Sequence, residues 1–246
     1  MANPLLNEKA FRRVDQLVQT AGESMTIEGT INKTAFLLLL VAATAAWVWT
    51  RYFQTLDPAT VMPYMWAGLI IGLVAALVTI FLPKWARISA PVYAAAQGLA
   101  LGAISAFYEQ QLHGIVFQAV GLTFGVLAVM LIAYRTGIIK VTDRFRMIVV
   151  AATGAIALLY LVSMVLSFFN ISIPFIHQGG TFGIIFSLVV VGIAAMNLAL
   201  DFDYIQRGVE HGAPKVLEWY AAFGVMVTLI WLYLEILRLL AKIRRR

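Results

Sequence analysis

The chain has no cysteine and little charge: Asp, Glu, Lys and Arg make up only 12% of its residues, about half the share of a soluble domain. Without cysteine there are no disulfides, no thiolate metal sites and no cysteine nucleophile. The three histidines, His113, His177 and His211, fall between or at the ends of apolar stretches. No two stand at zinc-ligand spacing, which argues against an intramembrane metalloprotease. No serine sits in a Gly-rich nucleophile motif with a histidine in another stretch, which argues against a rhomboid-like serine protease. The last apolar stretch holds no lysine before Lys242, so a retinal Schiff base has no place to form. A Gly-rich phosphate loop is also missing. Nothing supports enzyme chemistry, and the chain is read as not being an enzyme.

Hydrophobic residues are plentiful, at 62%, with a mean hydropathy of +0.88. Seven apolar stretches occupy most of residues 35–241. A bilayer core of ~30 Å asks for roughly 20 apolar residues per helix, and in lipid every backbone polar group must be satisfied within the span. The reading is an all-α polytopic membrane protein. Residues 1–30 form an N-terminal tail and residues 31–246 a seven-helix membrane domain. The spans run from about Ala35 to Trp49, Met62 to Leu82, Pro91 to Tyr108, Ile115 to Tyr134, Met147 to Phe169, Thr181 to Leu200 and Val216 to Leu240.

The first ~30 residues lack the short apolar core of a signal peptide. Ala10, Phe11, Val14, Leu17 and Val18 recur at helical spacing. They fit either an amphipathic helix on the membrane surface or a plain cytoplasmic tail. Lys and Arg fall twelve to one on the side of the N-terminus, with only Arg51 opposite, which puts that terminus in the cytoplasm. Arg238, Lys242, Arg244, Arg245 and Arg246 break the pattern if the seventh span crosses fully. The net charge of +6 therefore reads as a topology signal, and nucleic acid is not an expected partner. Gly68 with Gly72, and Gly98 with Gly102, are small-xxx-small pairs that allow close helix approach. Trp47, Trp49, Trp66, Trp85 and Trp219 lie near span ends, as an aromatic belt would.

Ionisable residues inside spans are functional candidates by default, and here they are acidic. Asp201 and Asp203 end the sixth span in Asn197-Leu-Ala-Leu-Asp-Phe-Asp-Tyr, Glu218 opens the seventh, and Glu235 lies deep within it. At about 100° per residue, Asp201 and Asp203 project to different faces. Asp201 shares its face with Asn197 and is assigned the inward role. Asp203 leads on to Arg207 and Glu210 and is assigned the boundary role. Glu235 has Arg238 at i+3. It is either an intrahelical pair reaching for the interface or a buried carboxyl that handles protons or cations.

Leu200-Asp-Phe-Asp-Tyr, then Leu232-Tyr-Leu-Glu-Ile-Leu, and Ala90-Pro-Val-Tyr-Ala-Ala-Ala-Gln-Gly-Leu-Ala-Leu-Gly-Ala-Ile-Ser105 resemble the Bax inhibitor family (the transmembrane BAX inhibitor motif proteins), most closely its bacterial branch. The resemblance covers about residues 30–245. It implies six helices wrapped around a central seventh, a multi-pass place in the bacterial inner membrane, and a calcium leak governed by a pH-responsive latch of two carboxyls from the last two spans. Asp201 takes the first latch position (Asp203 if the register shifts by two) and Glu235 the second, with Glu218 as a further candidate. Calcium and protons are the implied partners, with no cofactor beyond Ca²⁺ as permeant ion, held by Asp201 and Glu235 at most transiently. The second function the resemblance allows is a non-conducting regulator that binds a membrane protease or another membrane complex.

Three departures from the family pattern stand out. The seventh-span acid is usually aspartate. The family's latch arginine in the second span is missing, so Arg87 or Arg238 would have to serve. With a turn at about His211 to Pro214, Asp201 and Glu235 differ in depth by roughly 13 Å on straight helices. Either a helix breaks near Asp203, or the two are not direct partners and Glu218 takes a share. The charge bias also makes a topological prediction. A reporter fused after residue 30 reads cytoplasmic, and one inserted between Asn170 and Gly179 reads the opposite side. The same side for both would overturn the span count.

Overall fold

The computed structural model describes residues 24–169 and 180–245. The expected N-terminal amphipathic helix lies outside the described residues. Seven α-helices follow one another: α1 Ile27–Thr55, α2 Pro58–Phe81, α3 Ala86–Gln111, α4 Ile115–Arg135, α5 Asp143–Phe168, α6 Thr181–Glu210 and α7 Leu217–Arg244. All seven are long and apolar enough to cross a membrane. α1 begins eight residues before its apolar stretch, because the side chain of Thr26 caps it by accepting from the Gly29 amide, one of the donors a helix start leaves unsatisfied. Asp57 caps α2 in the same way, with Pro58 in the first turn, and Thr142 caps α5. α6 continues ten residues past its apolar run. The helix does not break near Asp203. The hairpin to α7 turns at Gly212, whose φ of 63° is a left-handed conformation costly for side-chain-bearing residues.

The helices form two compact units. Of the described residues, one draws on 24–113 and 203–227, the other on 114–169, 180–202 and 228–245. α6 and α7 each contribute a part to both. In the first unit, the α6–α7 hairpin carries a cluster of Met25, Ala86, Tyr204, Ala213, Leu217, Tyr220 and Ala221. The Met25 amide donates to Ala213 O, 2.6 Å away.

Burial follows composition in the sense expected for lipid. α3 is rich in alanine and glycine, and α7 carries two enclosed acids, Glu218 and Glu235. In each, 61% of the apolar window is buried, against 17–22% for α1, α2, α4 and α5 and 44% for α6. α2, α4 and α5 are strongly apolar and mostly exposed, because lipid solvates large apolar side chains and leaves little drive to bury them. α3 is thus as buried as α7.

Both small-residue pairs are close helix contacts. A Cβ on Gly68 would lie 2.9 Å from the Ala100 amide nitrogen, and one on Gly102 2.9 Å from the Ala45 Cα. α3 therefore meets α2 through Gly68 and Gly72, and α1 through its own Gly98 and Gly102. Backbone cannot retreat as a side-chain end can. Gly102→Val should cost about 1–3 kcal/mol, measured as a lowered Tm in detergent. Gly121→Ala, where nothing lies within 4 Å, should leave Tm unchanged or slightly raised. Equal Tm values for the two variants would show that α1 and α3 do not approach this closely.

Candidate functional site

Asp201, on the face of α6 shared with Asn197, is buried at 2% exposure. Its Oδ2 accepts a 2.6 Å hydrogen bond from Thr228 Oγ1 on α7. Its Oδ1 is buried and, among the described residues, has no hydrogen-bond partner. One turn earlier, Asn197 Nδ2 donates to Thr153 Oγ1 on α5, at 2.8 Å, and to the Ile193 carbonyl. Among the described residues the carboxyl thus meets a hydroxyl but pairs with no cation. An isolated buried charge is among the most costly groups a fold can hold.

Glu235 is buried as deeply, at 1% exposure, in a different setting. Its Oε1 accepts from Tyr160 on α5 and from Arg238, each at 2.9 Å, and from Trp231 at 3.3 Å. The Arg238 guanidinium also lies 5.2 Å from the centre of the Tyr160 ring. The i,i+3 pair read from the sequence is present, with Arg238 partly exposed and the carboxylate end enclosed. Glu235 Oε2 has no partner among the described residues.

Asp201 and Glu235 take separate partners. Asp201 meets α7 at Thr228, seven residues and about 10 Å of helix rise before Glu235. The two carboxyls therefore do not form the shared pair implied for a latch. An unbroken α6 and the depth difference between the two positions account for this. Arg87 does not replace the missing arginine, since it is exposed in the first turn of α3. Arg238 supplies the cation instead, from Glu235's own helix. Asp203 is paired with Arg207, 2.9 Å away and one turn on.

Glu218 belongs to the first unit and is fully enclosed there. Thr26 donates to its Oε1 from both amide and hydroxyl, at 2.9 and 3.0 Å. Lys33 pairs with its other oxygen and lies over the Trp219 ring. Gly29 leaves room for this, since a Cβ there would sit 2.5 Å from the Glu218 Cδ. The carboxylate fastens the start of α1 to the start of α7. Among the described residues no three His, Asp or Glu gather to hold a metal.

A family model described as Bax inhibitor 1 like matches residues 3–245. The chain belongs to this family. No curated protein and no solved structure matches it. Two of the three quoted motifs of this Bax inhibitor 1 like protein lie where buried acids are, in the second half of α6 and in α7; the third lies in α3.

Several site residues were not legible as such. Thr228, Thr153 and Tyr160 are ordinary in a span, and only the helix register shows that they meet Asp201, Asn197 and Glu235. Lys33 reads as a topology charge, yet it reaches Glu218, 185 positions away in sequence. Spacing carries no signal for that pair. Removing one partner of a buried ion pair costs about 3–5 kcal/mol, because a charge is left stranded. Lys33→Met should lower stability by that order, and Lys33→Met with Glu218→Gln should recover part of it, by thermal unfolding in detergent. Additive losses would show that the two residues do not interact.

Proposed function

We propose that this Bax inhibitor 1 like protein is a pH-sensitive cation leak, with calcium as the permeant ion, in which Asp201 is the residue that changes state. The observation that carries the reading is the Asp201 carboxyl: enclosed, bonded to one hydroxyl, with one oxygen unpartnered and no counter-charge. Protonation removes its charge and turns an acceptor oxygen into a donor. A single proton therefore alters both the attraction for a passing cation and the hydrogen bonding between α6 and α7. Oxygen ligands suit a hard cation such as Ca²⁺, which is cargo here. Glu235, compensated by Arg238 and held by Tyr160, is a fixed element of the path. The proposed setting is the bacterial inner membrane with the N-terminus in the cytoplasm; the sequence resemblance to the bacterial branch supports the first and the charge bias supports the second.

The test is calcium flux into liposomes containing the purified protein, from about pH 5 to 8. Wild-type flux rises with pH as carboxyls ionise. Asp201→Asn lowers it at the high end by about tenfold or more, since a nearby negative charge is lost in a low-dielectric site, and flattens the dependence. Asp203→Asn, in a one-turn ion pair with the exposed Arg207 and without the full enclosure of Asp201, stays close to wild type. The opposite ranking would transfer the role to Asp203. Absence of flux in every variant would favour the non-conducting regulator of a membrane protease or other complex.

A further inference from the structure

Lys242 plays no part in the reading above, yet it is a lysine buried at 8% exposure near the end of a membrane helix. Its Nζ donates to the Gly183 carbonyl at 3.1 Å and to Ser187 Oγ at 2.9 Å, both on α6. Both acceptors are neutral. An ammonium in such a place reaches for water or lipid headgroups where it can, so its retention inside the unit calls for an explanation.

The register of α6 and α7 supplies one. Ser187 and Asp201 are fourteen residues apart on α6, and Thr228 and Lys242 are fourteen apart on α7, about 21 Å on each helix. The antiparallel helices are thus joined by a polar rung at each end of that interval, Asp201 with Thr228 and Ser187 with Lys242. Between the rungs, α5 supplies two more: Thr153 to Asn197 and Tyr160 to Glu235. All these residues belong to one unit. Polar side chains at successive depths on three helices mark a seam. Its charges are ordered, with Asp201 unpaired at one end, Glu235 neutralised by Arg238 in between, and Lys242 bonded only to neutral groups at the other.

We infer that this seam is the water-accessible path through the unit, and that Lys242 closes its far end as an electrostatic plug. A fixed cation at a narrow point repels permeant cations, as positively charged constrictions do in channels, and a divalent ion feels this doubly. The inference builds on the proposed cation leak and adds the position of its barrier.

The natural lack of cysteine permits a test that does not depend on flux. Thr153→Cys places a thiol in the seam, and Leu158→Cys places one on the 62% exposed apolar face of the same helix. Each is treated in proteoliposomes with impermeant cationic and neutral methanethiosulfonates added on the side of Arg244. Thr153→Cys should react and Leu158→Cys should not, since thiols in lipid do not ionise. Adding Lys242→Met should speed the cationic reagent relative to the neutral one by on the order of tenfold, and raise calcium flux. Lys242→Arg, which keeps the charge, should restore the original ratio and so exclude general loosening. A ratio unmoved by Lys242→Met, or a Thr153→Cys no more reactive than Leu158→Cys, overturns the inference. Charge-selective labelling without calcium flux in any variant would uphold the seam and its plug while removing the cation leak.

Discussion

A carboxylate enclosed within a membrane helix must be met by donors or by a cation, and the deep acids of α6 and α7 are met in three different ways. Glu218 has a lysine and two donors from Thr26, and its role is to hold α1 in place. Glu235 has an arginine one turn along its own helix and a tyrosine from α5. Asp201 has one threonine. The cost of a buried charge falls as partners are added, so these groups form a series from fully compensated to bare. Function is expected at the bare end, where a proton or an ion changes most. The remaining contacts set which acid stands where in that series.

Large apolar residues cover the exposed faces of α1, α2, α4 and α5, while α3 encloses mainly alanine and glycine and α7 encloses large apolar residues around its acids. Close approach at Gly68, Gly98 and Gly102 lets backbones touch, and dispersion contact replaces a hydrophobic drive that lipid largely removes. Such contacts leave α1, α2 and α3 little freedom to shift within their unit.

The separation of Asp201 from Glu235 changes how proton control is understood in this chain. Two carboxyls sharing one proton would titrate as a pair. Asp201 stands against a hydroxyl and is not coupled to a second acid. In the proposed path, the ion pair at Glu235 would make a neutral section and Lys242 a fixed charge at the opposite end of the same interval.

Span number, orientation bias and the burial of Asp201 were legible in the sequence, because each depends on local properties: run length, loop charge and the 100° step that puts Asp201 with Asn197. The i,i+3 pairing of Glu235 with Arg238 is equally local, and the small-residue pairs announced tight packing without naming the partner. Partners across helices were not legible. Lys33 with Glu218, Tyr160 with Glu235, Thr228 with Asp201 and Ser187 with Lys242 depend on how helices far apart in sequence are set side by side. A sequence states which residues share a face; relative height between helices comes from loop length, capping and close packing acting together. Tertiary structure therefore decided which acid was compensated and which was left bare.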